Sequence, residues 1–183
     1  MQRSMNAEVL FSTFDEPAAR HVQVTDMALE RAKRMAEQGE DVVLFVDSLS
    51  RLARASHAST PAGGKLMSAT VDIAALQFVR KVFGAARMLE EGGSLTIFAT
   101  LLTGSTFDDV VAEDVLAAAN GVLCIDSQLS QRGVHPALNL WESSTGARES
   151  FLSKDELESV KRLRSDLKGD VKDDLETAIQ STD

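Results

Sequence analysis

Val42-Val-Leu-Phe-Val46, followed at once by Asp47-Ser48, is the stretch on which the fold turns. Five apolar residues without alternation are the pattern of a strand buried on both faces. The carboxylate that ends the run stands where such a strand hands over to a loop. Ahead of it, Val22, Val24, Met27, Ala28 and Met35 fall near helical spacing between Ala18 and Gln38, and Gly39 sits at the stop. Further ahead, Glu8-Val-Leu-Phe-Ser-Thr-Phe14 is rich in β-branched and aromatic residues and is stopped by Asp15-Glu16-Pro17. It reads as another buried strand, so the opening unit is β-α-β.

The alternation continues downstream. Ser56 to Thr70, with Thr60-Pro-Ala-Gly-Gly-Lys65 inside it, is polar and small and reads as a loop. A helix is predicted from Ile73 to Glu91, closed by Gly92-Gly93, and a buried strand from Ser94 to Thr100. A loop from Leu102 to Phe107 leads into an acidic helix over Asp108–Ala118. Val122–Ile125 and Ala137–Trp141 read as two more strands. After Phe151 the character changes, because Ser153-Lys-Asp-Glu156 is a capping-box opening and Leu157, Val160, Leu163 and Leu167 make an apolar stripe on a charged helix. The expectation is an α/β fold, a parallel sheet flanked by helices, over residues 1–152, with a C-terminal helical segment over 153–183. Ligands in such folds sit at the carboxyl ends of the strands, here after Phe14, Asp47 and Thr100.

Composition narrows the function. The 183 residues carry a formal net charge of -9, so the surface as a whole repels a phosphate backbone and any nucleic acid must be gripped locally. No apolar run is long enough to cross a bilayer and no basic-then-apolar leader stands at Met1, which predicts a soluble cytoplasmic protein with no membrane partner. The single cysteine, Cys124, has no second cysteine for a disulfide or a metal site and reads as core. His21 and His57 have no ligand-spaced companions and read as structural hydrogen-bonding residues.

An apolar strand ending in aspartate is the form of a Walker B strand, whose carboxylate reaches a nucleotide-bound magnesium or its water shell. Alone the pattern is common. Its context is more specific: Ser12-Thr-Phe-Asp-Glu-Pro17, Arg20-His-Val-Gln-Val24, Asp47-Ser-Leu-Ser-Arg-Leu-Ala-Arg-Ala55, Phe83-Gly-Ala-Ala-Arg87 and Glu90-Glu-Gly-Gly-Ser-Leu-Thr-Ile97 resemble consecutive stretches of the transcription termination factor Rho family. The resemblance runs over roughly Met1 to Leu167. It implies a RecA-like fold and a ring-forming helicase that moves RNA with ATP and Mg2+ and acts on RNA polymerase indirectly, through the transcript. Rotary ATP synthase subunits share the fold and the aspartate strand but not the Arg20–Val24 stretch.

Carried over residue by residue, the resemblance implies that Asp47 is the Walker B aspartate, serving magnesium through its bound water. Arg148 lies where an arginine finger reaches a neighbour's nucleotide, within a segment about two residues longer than the family's. Gly63, Gly64 and Lys65 fall in the first RNA loop, and Thr103, Gly104 and Ser105 in the second, where Thr106 replaces the expected lysine. His135 takes the place of an aromatic that stacks on adenine, and Arg132 serves the same nucleotide pocket. The 183 residues hold no Gly-x-x-x-x-Gly-Lys-Ser/Thr phosphate loop. Gly63-Gly64-Lys65 is the nearest imitation, with Leu66 at the hydroxyl position. The resemblance begins beyond the family's phosphate loop and catalytic glutamate, so the expected fold is incomplete and the expected activity alone is poor. The competing reading is a non-catalytic module that joins or regulates a complete ring, or a truncated product.

Overall fold

A computed structural model describes residues 6–59, 73–146 and 151–165. They form two compact units, Met1–Ala118 and Ala119–Asp183. The change of sequence character at residues 152/153 therefore falls within the second unit.

The first unit is built around α1 (Ala18–Glu37), β1 (Asp41–Val46), α2 (Leu49–Ser59), α3 (Ile73–Phe83), β2 (Arg87–Met88), β3 (Ser94–Ala99) and α4 (Thr106–Leu116). β1 runs parallel to β3, with Val42 beside Leu95 and Leu44 beside Ile97, and β2 lies antiparallel on the far side of β3. One face of this sheet takes the helices. Leu29, Ala32 and Ala36 of α1, Leu49, Leu52 and Ala53 of α2, Leu76, Val79 and Val82 of α3, and Val111 and Val115 of α4 converge with Leu95 in one apolar core. The helix stop read at Gly39 is real: its φ of +93° is left-handed backbone that glycine enters without strain. Gly93 is required by space as well, since a Cβ there would stand 2.1 Å from the Ala36 carbonyl oxygen.

Several expectations need correction. Glu8–Phe14 is not a strand, because no neighbouring strand among the described residues takes its backbone hydrogen bonds, and Phe14 is left 96% exposed. β1 is buried on one face rather than two: Val42, Leu44 and Val46 turn to the core while Phe45 is 75% exposed. The helix from Ile73 ends at Phe83 instead of Glu91. Gly84 turns the chain, with its N–H on the Arg80 carbonyl at 2.8 Å, and Arg87–Met88 becomes a hairpin strand closed by Gly92-Gly93. Ser56–Ser59 complete α2 rather than opening a loop, while residues 60–72 lie outside the described residues.

The second unit holds β4 (Gly121–Ile125), the short α5 (Ser127–Gln131), which the sequence reading missed, and β5 (Leu138–Thr145). β4 and β5 pair antiparallel as a sheet of their own, with an irregularity between Val122 and Cys124. Parallel pairing is thus confined to β1 and β3. A last helical stretch covers residues 154–165. Its capping box is made as read: the Ser153 N–H and hydroxyl donate to Glu156 Oε2 at 2.9 and 2.8 Å, and the Glu156 N–H donates to Ser153 Oγ at 3.3 Å. Leu167 of the stripe lies outside the described residues.

Those bonds from the Ser153 backbone N–H and then its hydroxyl hold the Glu156 carboxyl below its ordinary value. A group depressed in the folded state stabilises it above the unfolded value, about 4.3 for glutamate, and the contribution fades as the pH falls through the folded value. Circular dichroism and amide exchange at Leu157 should show this helix fraying from about pH 5 downward, over the window where such carboxylates are lost. Glu156→Gln should weaken the helix at neutral pH and flatten its acid dependence; identical acid curves would contradict the capping account.

Candidate nucleotide and RNA sites

Asp47 stands at the carboxyl end of β1, and α2 starts two residues later, so the expected loop here is a single residue, Ser48. The Thr100 hydroxyl, at the corresponding end of β3, donates to Asp47 Oδ1 at 2.7 Å. The Asp47–Ser48 peptide bond is cis. Around it the two strand ends are stitched together: the Leu49 N–H donates to the Thr100 carbonyl at 3.0 Å, and the Leu102 N–H donates to the fully buried Ser50 Oγ at 2.9 Å. The arrangement presents one oriented carboxylate at the sheet edge. Such a carboxylate fits a magnesium ion that takes its other ligands from phosphates and water. Among the described residues no group of three His, Cys, Asp or Glu side chains is placed to hold a metal without them.

Thr103, Gly104 and Ser105 lie between β3 and α4. Ser105 caps α4, accepting the Asp108 N–H at 3.2 Å, and its hydroxyl donates to Asp108 Oδ2 at 2.6 Å. Gly104 has a φ of +98°, and its N–H donates to Asp109 Oδ1 at 2.9 Å. Arg54, from α2, donates to the same Asp108 Oδ2 at 2.5 Å and lies 5.6 Å from the centre of the Phe107 ring, against which His57 packs edge-on at 6.0 Å. Asp108 is buried, 4% exposed, and its Oδ1 has no hydrogen-bond partner among the described residues. The second loop is therefore fastened to the α2 helix that leads out from Asp47.

Sequence reasoning missed Arg54 and Asp108. Ser105-x-x-Asp108 is a capping pattern that pointed to the second of them. Nothing short of the fold pointed to Arg54.

The other expected site residues are less defined. Gly63, Gly64 and Lys65 lie outside the described residues, and so does Arg148. Arg132 is the C-cap of α5, beside Gly133 at φ +78°, and His135 precedes a cis proline, Pro136; all are exposed. The α5 cap is Asp126, which accepts the Gln128 N–H at 2.7 Å. Cys124 is half-buried rather than core. Burial raises its thiol pKa, and the Glu142 charge adds to the shift. His21 hydrogen bonds Ser12 Oγ through Nδ1 at 2.6 Å, in keeping with the structural role read for it.

A parallel strand pair with a strand-end aspartate and a hydroxyl beside it, under a layer of helices, is a nucleotide-binding arrangement. The ATP synthase alpha/beta family, nucleotide-binding domain, matches residues 2–145, and the chain belongs to that family. Within it, the chain is similar to transcription termination factor Rho. It is 48% identical over 166 residues to the Rho of Chromobacterium violaceum, covering 90% of this chain and 40% of that one. The Rho of Pseudomonas aeruginosa is 46% identical over 166 residues with the same coverage, and that of Mycobacterium bovis 46% over 171 residues, covering 92% of this chain and 28% of that one. The chain thus spans about 40% of the first two relatives.

Two solved structures share the fold at low identity. EscN, an ATPase of the enteropathogenic E. coli type III secretion system, superposes with a TM-score of 0.74 at 20% identity, covering 84% of this chain and 38% of EscN. NeqB, an ATP synthase subunit of Nanoarchaeum equitans, does so at 0.76 and 18%, covering 88% of this chain and 43% of NeqB. The fold is RecA-like, present in part.

Proposed function

We propose that the chain works as the carboxyl-side part of a Rho-like, ATP-dependent RNA translocase engaged in transcription termination in the cytoplasm. The observation that carries this reading is the fastening of Thr103–Ser105 to α2 through Arg54 and Asp108, which ties a loop suited to RNA to the helix that begins beside Asp47. Residues 1–152 are the partial ATPase core and 153–183 a helical segment. Asp47 orients magnesium through its water shell, Gly63, Gly64 and Lys65 with Thr103, Gly104 and Ser105 grip the RNA backbone, and Arg132 with His135 serves the nucleotide. Arg148 acts in trans: a guanidinium keeps its charge while it stabilises the phosphoryl group being transferred at a neighbour's site. The 183 residues hold no phosphate loop, so the chain alone carries no ATP hydrolysis in this reading.

RNA binding is the first test. The net charge of -9 opposes it and Lys65 is the one loop lysine present, so affinity should be weak and fall steeply with salt. In a fluorescence titration with single-stranded RNA, Lys65→Ala should lower the slope of log affinity against log salt by about 0.7, the release expected for one phosphate contact on a single strand. Tight binding that persists at high salt would place the RNA on another surface.

A further inference from the structure

β1 has a partner on one side only. β3 occupies that side, and the other edge is unpaired among the described residues. Edge strands exposed to water are normally blunted by charge, proline or a bulge. From Val42 to Val46 there is no charge and no proline, and the pairing with β3 is regular throughout. The same strand is bare on one face. Val43 and Phe98 are each 53% exposed beside Phe45, and the Phe45 and Phe98 rings stack at 5.3 Å. Parallel strands occur almost only in sheets covered on both faces, so the open edge and the open face are two marks of one missing cover.

The geometry identifies the cover. A second copy related by a two-fold axis normal to the sheet would pair β1 with β1 and leave both aromatic faces in water. A two-fold axis lying in the sheet plane would bury the faces and leave both edges open. One βα unit meets both needs, because its strand extends the sheet beside β1 and its helix, crossing back in the usual right-handed sense, lies over Phe45 and Phe98. The relatives are long enough to contain such a unit outside the part matched here, since the chain covers 40% of the Chromobacterium violaceum Rho.

We infer that the β1 edge and the Val43–Phe45–Phe98 face together form a docking site for a βα unit from a second polypeptide, the remainder of a nucleotide-binding domain of the same family. The inference rests on the fold and stands or falls separately from the RNA reading. A complete relative, whose own sheet is already filled, is a poor partner at this edge.

The test is co-expression of the full chain with the part of the Chromobacterium violaceum Rho that lies ahead of the matched segment. The two should co-purify at one to one by light scattering, with slowed amide exchange from Val42 to Val46. Phe45→Asp or Phe98→Asp should weaken the complex at least about tenfold by burying an unpaired carboxylate. Both side chains are exposed in the chain alone, so its circular dichroism should be unchanged by either substitution. Failure to co-purify, an unaffected complex in both variants, or self-association that protects the β1 amides and is lost on Phe45→Asp would each overturn the inference. RNA binding by the chain would be untouched by any of these outcomes.

Discussion

Truncation of Leu29 to alanine should lower the free energy of unfolding by about 2–5 kcal/mol, the range for emptying a buried leucine site. Leu29 is fully buried in the middle of α1, in the cluster that also holds Ala32, Ala36, Leu52, Val79 and Leu95. The lost methyl groups remove transfer free energy and leave a cavity between α1 and its neighbours that the packed helices close only in part. For a domain stable by about 5–15 kcal/mol this is a large share. Met27, two residues away, is 53% exposed and turned from that core, so Met27→Ala should change stability by about 0.5 kcal/mol or less. Urea unfolding of the two variants, at constant m value, is the measurement. Equal losses would mean that α1 presents a different face to the sheet.

Removal of the Arg54 guanidinium should cost about 2–4 kcal/mol, somewhat below the 3–5 expected for a wholly buried pair, because Arg54 is half exposed and Asp108 is not. The carboxylate would keep the Ser105 hydroxyl and the Arg54 bond would be gone, with Oδ1 already lacking a partner. A double-mutant cycle with Asp108→Ala should show coupling of about 1–3 kcal/mol, and the double variant should be less damaged than the sum of the singles. Amide exchange at Gly104 and Ser105 should rise in Arg54→Ala. Additive effects within about 0.5 kcal/mol would show that the pair does not fasten the loop.

Much of this architecture was legible before the fold was known. Gly39 and the spacing from Val22 to Met35 located α1 almost to the residue, since a helix stop and a helical period are local properties. β1, β3, β4 and β5 were read from apolar content, and the Ser153–Glu156 capping box from spacing alone. The misreadings concern what lies beside a segment. Glu8–Phe14 has strand composition but no strand neighbour, and the Val42–Val46 run promised two covered faces where the fold covers one. Both discrepancies sit where the chain accounts for less than half of its relatives' length. Gly84 ended α3 early because a Cβ there would stand 2.8 Å from the Arg80 carbonyl oxygen, a clash that periodicity does not see. At the site, Asp47 was readable because its strand pattern is local. Thr100 and Arg54 were not, since each gains its meaning from a partner about fifty residues away.

The most direct measurement of the proposed role is a titration of the chain into an active Rho, following RNA-stimulated ATP hydrolysis together with the amount of chain that co-assembles. In a ring ATPase one subunit supplies phosphate loop and Walker B aspartate, and its neighbour supplies the arginine. A chain that brings Arg148 but no phosphate loop should complete the adjacent site and leave its own silent, so hydrolysis should fall roughly in proportion to its share of the ring. Arg148→Ala should silence the adjacent site too and inhibit about twice as strongly per copy at low incorporation, one site lost becoming two. Co-assembly with identical inhibition by both versions would contradict the role given to Arg148, and no co-assembly at all would contradict a place for this chain in the ring.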